Sequence, residues 1–223
     1  MIDLTLKFFE LLMHIDKYLQ VIVSEYALLT YAIIFLIIFF ETGIVVAPFL
    51  PGDSLLFAAG ALAAIGSFNI AWLFLVIFLA AVLGDTLNYQ IGNIIGPRIF
   101  TKESSWLFNR KYLVRAQHFY EKNGKKTIIL ARFIPIIRTF APFVAGIGTM
   151  SYWVFLTYNI LGALLWSGLF IGGGYLFGNI PLVKERFGLL VLVIIIISLM
   201  PLVKEVISYF LNKKRNNNLN NEN

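Results

Sequence analysis

The chain has 223 residues, 59% of them apolar and only 13% charged, with a formal net charge of +6. Soluble domains carry about 25% charged residues, so a water-soluble globule is excluded and an integral membrane protein is expected. The chain has no cysteine, which excludes disulfides, thiolate metal sites and cysteine nucleophiles. Its two histidines, His14 and His118, lie outside the apolar runs, so no metal and no cofactor is expected.

Residues 1–24 place Ile2, Leu6, Phe9 and Met13 at helical spacing, opposite Asp3, Lys7, Glu10, Asp16 and Lys17. That pattern predicts an amphipathic helix on the membrane surface and not a signal peptide, which would need a continuous apolar core. A single membrane domain is expected over 25–211. Ser54–Gly84 has no charged residue, and neither does Thr139–Val183. A helix rises about 1.5 Å per residue against a hydrocarbon core of about 30 Å, so the second of these runs must fold back. The small-residue stretches "AIGSFN" (64–69) and "GIGTMS" (146–151) mark the breaks. Spanning helices are predicted near 26–42, 70–96, 152–178 and 187–211.

Two apolar segments remain, 43–65 and 127–148, both broken by proline. Irregular backbone survives at membrane depth only when protein buries it or a wet cavity lines it. Both segments are therefore predicted to be re-entrant hairpins, with Pro48, Pro51 and Gly52 turning the first and Pro135 and Pro142 the second. The loop 97–126 between the halves holds eight Lys/Arg, with an amphipathic helix over 108–126 ended by Asn123-Gly124. The Asn-rich tail 212–223 is predicted to be disordered.

The halves resemble each other. "FAAGALAAIGSFNIAW" matches "FVAGIGTMSYWVF", and "GDTLNYQIGNIIG" pairs with "WSGLFIGGGYLFG", aligning Gly92 with Gly174 and Gly96 with Gly178. These glycines have the small-xxx-small spacing of close helix contacts. The positive-inside rule puts loop 97–126 and the "NKKR" tail in the cytoplasm. Tracing the spans from there brings one hairpin in from each face and leaves both termini cytoplasmic. The predicted fold is an all-α membrane protein, an inverted repeat of re-entrant hairpin plus transmembrane helix, a plan used by alternating-access transporters.

Five charges fall inside the apolar segments: Glu41, Asp53, Asp85, Arg132 and Arg138. Each would cost about 2.5–3.5 kcal/mol at the bilayer centre if it faced lipid, so they are functional candidates. Opposed hairpins would bring the acids Glu41 and Asp53 to Arg132 and Arg138. Buried carboxylates can carry a proton, and guanidinium forks bind phosphate bidentately. Plainer readings stand beside these. Arg132 also fits a side chain snorkelling to the interface, and Glu41 fits one near the outer surface. Asp53 fits a helix cap in "PGDSLL", and Asp85, a secondary candidate, fits a simple interhelical hydrogen bond.

The stretches "FETGIVVAPFLPGDSLLFAAGALA", "GDTLNYQIG", "FYEKNGKKTIILARFIPIIRTFAPFVAGIGTMSYWVF" and "NILGALLWSGLFIGGGYLFG" resemble the bacterial DedA family, also called SNARE-associated or VTT-domain proteins. The resemblance runs over roughly 5–210. It implies two opposed re-entrant hairpins in an inverted repeat, with functional acids at Glu41 and Asp53 and functional arginines at Arg132 and Arg138. It also implies an inner-membrane lipid transporter of flippase or scramblase type that is no enzyme. The expected cargo is undecaprenyl phosphate or another phosphate-headed lipid, with protons as a coupling ion and envelope integrity as the outcome. Glu41 and Asp53 would take the proton, and Arg132 and Arg138 the headgroup. No nucleic-acid partner is expected, and an oligomer is compatible with this reading. The alternatives are a proton-coupled exporter of small cations or drugs, in which the acids outweigh the arginines, and a non-transport membrane scaffold.

Overall fold

A computed structural model describes residues 26–44, 52–99, 110–148, 150–181 and 183. The segment 1–24, Pro48 and Pro51, part of loop 97–126, the span near 187–211 and the tail 212–223 lie outside the described residues. The elements are helices: α1 (Ala27–Gly43), α2 (Gly52–Ala64), α3 (Ile70–Ile99), α4 (Arg110–Asn123), a short 3-10 turn (Gly124–Lys126), α5 (Thr127–Ala131), α6 (Pro135–Ile147) and α7 (Tyr152–Gly178).

Local chemistry explains the breaks. Gly66 takes a φ of +87° just after α2, a conformation that favours glycine. Asn69 then caps α3, its Oδ1 accepting from the backbone N–H groups of Ala71 (3.0 Å) and Trp72 (3.2 Å). Gly124, at φ +57°, follows α4, where the sequence placed the helix stop. Ile134 is extended, as the residue before a proline tends to be, and Pro135 opens α6.

Pro142 corrects the sequence reading. It was expected at a hairpin turn but sits inside α6, which runs through it from Pro135 to Ile147. A proline within a helix removes one intrahelical bond, here the one to the Arg138 carbonyl four residues back, yet the helix runs through it. Asn88 of α3 ties the same stretch to its neighbours, donating from Nδ2 to the Thr139 carbonyl at 2.8 Å and to the Thr42 carbonyl at the end of α1 at 3.0 Å.

Among the described residues, two helices are long and apolar enough to span a bilayer, over Ile70–Ile94 and Tyr152–Gly178. The helix predicted near 26–42 forms as α1, but its 17 residues reach only about 25 Å, short of a full hydrocarbon core. Large apolar side chains point outward along these helices, including Leu28, Leu36 and Phe40 on α1, Trp72 and Leu79 on α3, and Leu165, Leu169 and Leu176 on α7. The inward stripes mix apolar residues such as Leu73 and Ile77 on α3 and Phe155 and Trp166 on α7 with small and polar ones, Asp85 and Asn88 on α3 and Asn159, Gly162 and Ser167 on α7. Polar groups turned inward, away from lipid, are what a bilayer requires.

Each short helix packs on the long helix of the other half: α2 along α7, and α6 along α3. Four glycines make the closest of these contacts. A Cβ on Gly60 of α2 would strike the Ile171 carbonyl of α7, and one on Gly174 would strike the Phe57 carbonyl of α2. The second interface repeats the pattern: Gly146 of α6 abuts the Tyr89 carbonyl of α3, and Gly92 abuts the Phe143 carbonyl of α6. Close backbone approach of this kind is how membrane helices gain packing energy without a hydrophobic driving force between them.

Candidate functional site

The break between α5 and α6 builds the basic half of the site. Ile129, Leu130 and Ala131 accept successive backbone bonds from Arg132 (3.3 Å), Phe133 (3.2 Å) and Ile134 (2.9 Å), forming a tight turn ahead of Pro135. Phe133 and Ile134 in this turn face outward, while Arg132 and Arg138 on either side are buried, 1% and 4% exposed. Two guanidiniums thus enter the protein interior from one proline-anchored turn.

Their partners come from other elements. Arg138 donates from Nη1 to Asp53 Oδ1 at 2.5 Å and from Nη2 to Glu41 Oε1. Glu41 lies in the last turn of α1 and Asp53 in the first turn of α2. A carboxylate is favoured by the dipole at a helix N-terminus and disfavoured at a C-terminus, so buried Glu41 depends more on its arginine than Asp53 does. Gly52 is needed beside them, because a Cβ there would run into the Glu41 carboxylate. Arg132 instead donates from Nη2 to Asp85 Oδ2 at 2.5 Å and to Asn159 Oδ1 at 2.6 Å.

Trp166 joins the two groups. Its ring lies 5.8 Å from the Arg132 Cζ and 5.2 Å from the Arg138 Cζ, within cation–π range of both. Its Nε1 donates to Asp53 Oδ1 at 2.9 Å. Gly162, one turn earlier on α7, leaves room for Arg132: an added Cβ would sit 3.1 Å from both Cδ and Nε of that side chain. A cavity of about 540 Å³ lies apart from this cluster, between Gln117, Tyr120 and Lys125 on one side and Val144, Ser151 and Val154 on the other. The guanidiniums are enclosed by their protein partners.

All five charges singled out from sequence meet in this interior, but one pairing differs from expectation. Arg138 meets both Glu41 and Asp53 as predicted, whereas Arg132 pairs with Asp85. Its burial also removes the snorkelling alternative for Arg132 and the interfacial one for Glu41, which is fully buried. Pro135 opens a helix at the turn, Gly52 opens α2, and Pro48 and Pro51 are not described. Trp166, Asn88, Asn159 and Gly162 were not found from sequence. Asn88 and Asn159 did carry a signal, since an amide in an uncharged apolar run also needs partners. Asn159 meets that need by donating to the Val82 carbonyl at 3.0 Å and accepting from Arg132. No group of three or more metal-ligating side chains occurs among the described residues.

An all-α interior of paired charges, enclosed by helices with apolar outer faces, defines an integral membrane protein and not a soluble enzyme. Residues 50–176 match the VTT domain, and the chain belongs to this family of membrane proteins, the DedA family, implicated in membrane homeostasis and lipid-related transport. Among curated relatives, Protein DedA of Escherichia coli K12 is 51% identical over 209 residues, covering 93% of this chain and 95% of that one. An uncharacterised membrane protein of Mycobacterium leprae is 46% identical over 165 residues, covering 74% of each chain. The inner membrane protein YqjA of E. coli K12 is 34% identical over 153 residues, covering 68% of this chain and 69% of its own. No solved structure matches the chain.

Proposed function

We propose that this protein moves a lipid with a phosphate headgroup across the bacterial cytoplasmic membrane, with proton movement linked to the transfer. Undecaprenyl phosphate and phospholipids are the cargo classes that fit. Arg132 and Arg138 hold the headgroup, and Glu41 and Asp53 take the proton and release Arg138 to the cargo. The observation that carries this reading is the placing of charge by sign. The arginines flank one turn, at α5–α6, while the acids that hold Arg138 come from α1 and α2. A guanidinium inside a membrane protein is costly to maintain, and it matches the phosphate of a lipid whose tails stay in the bilayer.

The doubled glycine contacts, α2 on α7 and α6 on α3, support reading the fold as an inverted repeat of re-entrant hairpin plus spanning helix. The basic loop supports a cytoplasmic location for that side, and with it cytoplasmic termini. The name of the YqjA relative supports the inner membrane as the location.

Reconstitution in liposomes tests the assignment. Arg138→Ala is expected to lower the flipping rate of a fluorescent phosphate-headed lipid by at least about tenfold, as loss of a charged contact worth about 1.4 kcal/mol or more would do. Wild-type flipping by this variant would remove Arg138 from the headgroup site. Wild-type flipping should change with external pH, and Asp53→Asn should flatten that dependence; an unaltered pH profile in Asp53→Asn would remove Asp53 from proton transfer.

A further inference from the structure

The two arginines are not equivalent. Arg138 commits both terminal nitrogens to carboxylates, one from each of two helices. Arg132 commits Nη2 alone, to Asp85 Oδ2 and Asn159 Oδ1, while its Nη1 and Nε have no hydrogen-bond partner although the side chain is buried. Asp85 is used as incompletely: Oδ2 accepts from Arg132 and buried Oδ1 has no partner. A guanidinium presents a planar fork that a carboxylate or phosphate can grip with two oxygens. Asp85 holds this group through one oxygen on one nitrogen. Buried donors and acceptors left unpaired weaken the state that contains them.

We propose that Asp85 is a further residue of the anion site, a placeholder that holds Arg132 in the empty protein and yields it to an incoming phosphate. This deepens the proposed function and rests on its assignment of the arginines to phosphate. A phosphate can grip Nη2 together with Nη1 or with Nε, and both of these forks include the nitrogen that Asp85 holds. It is also negative, so it and Asp85 compete for one guanidinium. Three carboxylates, Glu41, Asp53 and Asp85, already face two guanidiniums in this interior, which strengthens that competition. Asn159 has the opposite character. It is neutral, its amide is anchored on the Val82 carbonyl, and it can keep its bond to Arg132 through the exchange. Asp85 is therefore a positioning residue that acts through Arg132, and Arg132 is the arginine that meets phosphate first.

Trp166, 5.8 Å from the Arg132 Cζ, supplies the readout. The full chain carrying W72F, W106F and W153F keeps Trp166 as its single tryptophan. In detergent micelles it is titrated with dodecyl phosphate, and separately with inorganic phosphate, while Trp166 emission is followed. Asp85→Asn, which keeps the size and removes the competing charge, is expected to bind dodecyl phosphate about tenfold more tightly than the parent. A merely structural role for Asp85 would loosen the site and weaken binding. Unchanged or weaker binding in Asp85→Asn, with binding abolished in Arg132→Ala, overturns the placeholder role and leaves the phosphate reading standing. Parent-like binding in both Arg132→Ala and Arg138→Ala overturns the phosphate reading itself, and the placeholder with it. If Asp85→Asn does not fold, Asp85→Glu carries the test: its longer carboxylate reaches more of the fork, so it should bind the probe more weakly, and equal or tighter binding overturns the proposal. Dodecyl phosphate binding more tightly than inorganic phosphate assigns the site to a lipid headgroup. Equal binding assigns it to free phosphate, so the lipid reading falls while the Asp85 exchange stands.

Discussion

Arg138 joins Glu41 to Asp53, Arg132 is held by Asp85 and Asn159, and Trp166 borders both guanidiniums. Asp53 accepts from Arg138 and Trp166 through the same oxygen, so the indole fixes where the carboxylate points. Trp166→Phe keeps most of the ring and loses this bond. It should cost about 1.5–3 kcal/mol, the worth of a hydrogen bond to a charged group, seen as a lower melting temperature in micelles. Trp166→Leu also removes the cation–π contacts and should fall further; equal melting of both variants and the parent would contradict this role. The five charges were legible in the sequence because a charge in an apolar run needs a reason wherever it sits. Their pairing was not, because which acid meets Arg132 depends on how α3 and α7 lie against the α5–α6 turn. Trp166 stayed hidden for another reason: an aromatic in an apolar run looks like any packing residue, and its indole N–H shows a purpose only once Asp53 is beside it.

Among the helices, four glycines set the distances that bring these side chains together. Gly60 and Gly174 seat α2 on α7, while Gly146 and Gly92 seat α6 on α3, each facing a backbone carbonyl that cannot swing away. Alanine at any of the four should push a helix pair apart and cost about 1–3 kcal/mol, the usual range for overpacking. Gly172 on the same α7 meets nothing within 4 Å. There alanine should leave stability unchanged or raise it by about 0.5–1 kcal/mol through helix propensity. Thermal unfolding of the five variants in one detergent checks this, and a drop at Gly172 equal to the other four would refute the contact argument. The helix stops at Gly66 and Gly124 and the break before Pro135 could be read from the sequence because backbone restrictions act locally, and Gly92 and Gly174 could be read from their small-xxx-small spacing, whereas Gly60 and Gly146 show their contacts only once the helices are packed. Pro142 could not. The proline was visible, but whether a helix turns or runs on at an internal proline depends on the packing around it, here α6 along α3.

At the scale of the molecule, the described helices turn apolar faces outward, and every intramembrane charge singled out from sequence is set against a partner. The acids of α1 and α2 meet the α5–α6 turn in the middle of the packed helices, and each half supplies part of the other half's interface. Such a centre can hold an anion only if the arginines exchange their protein partners for it, so occupation and rearrangement are one event. The direct measurement is a cryo-EM structure of the full chain in nanodiscs containing a phosphate-headed lipid. The account predicts phosphate density within about 3 Å of guanidinium nitrogens of Arg132 or Arg138, with Asp85, or Glu41 and Asp53, drawn away from the arginine it occupies. Headgroup density confined to the basic loop, with Arg132 still on Asp85 and Arg138 still on Glu41 and Asp53, would contradict it.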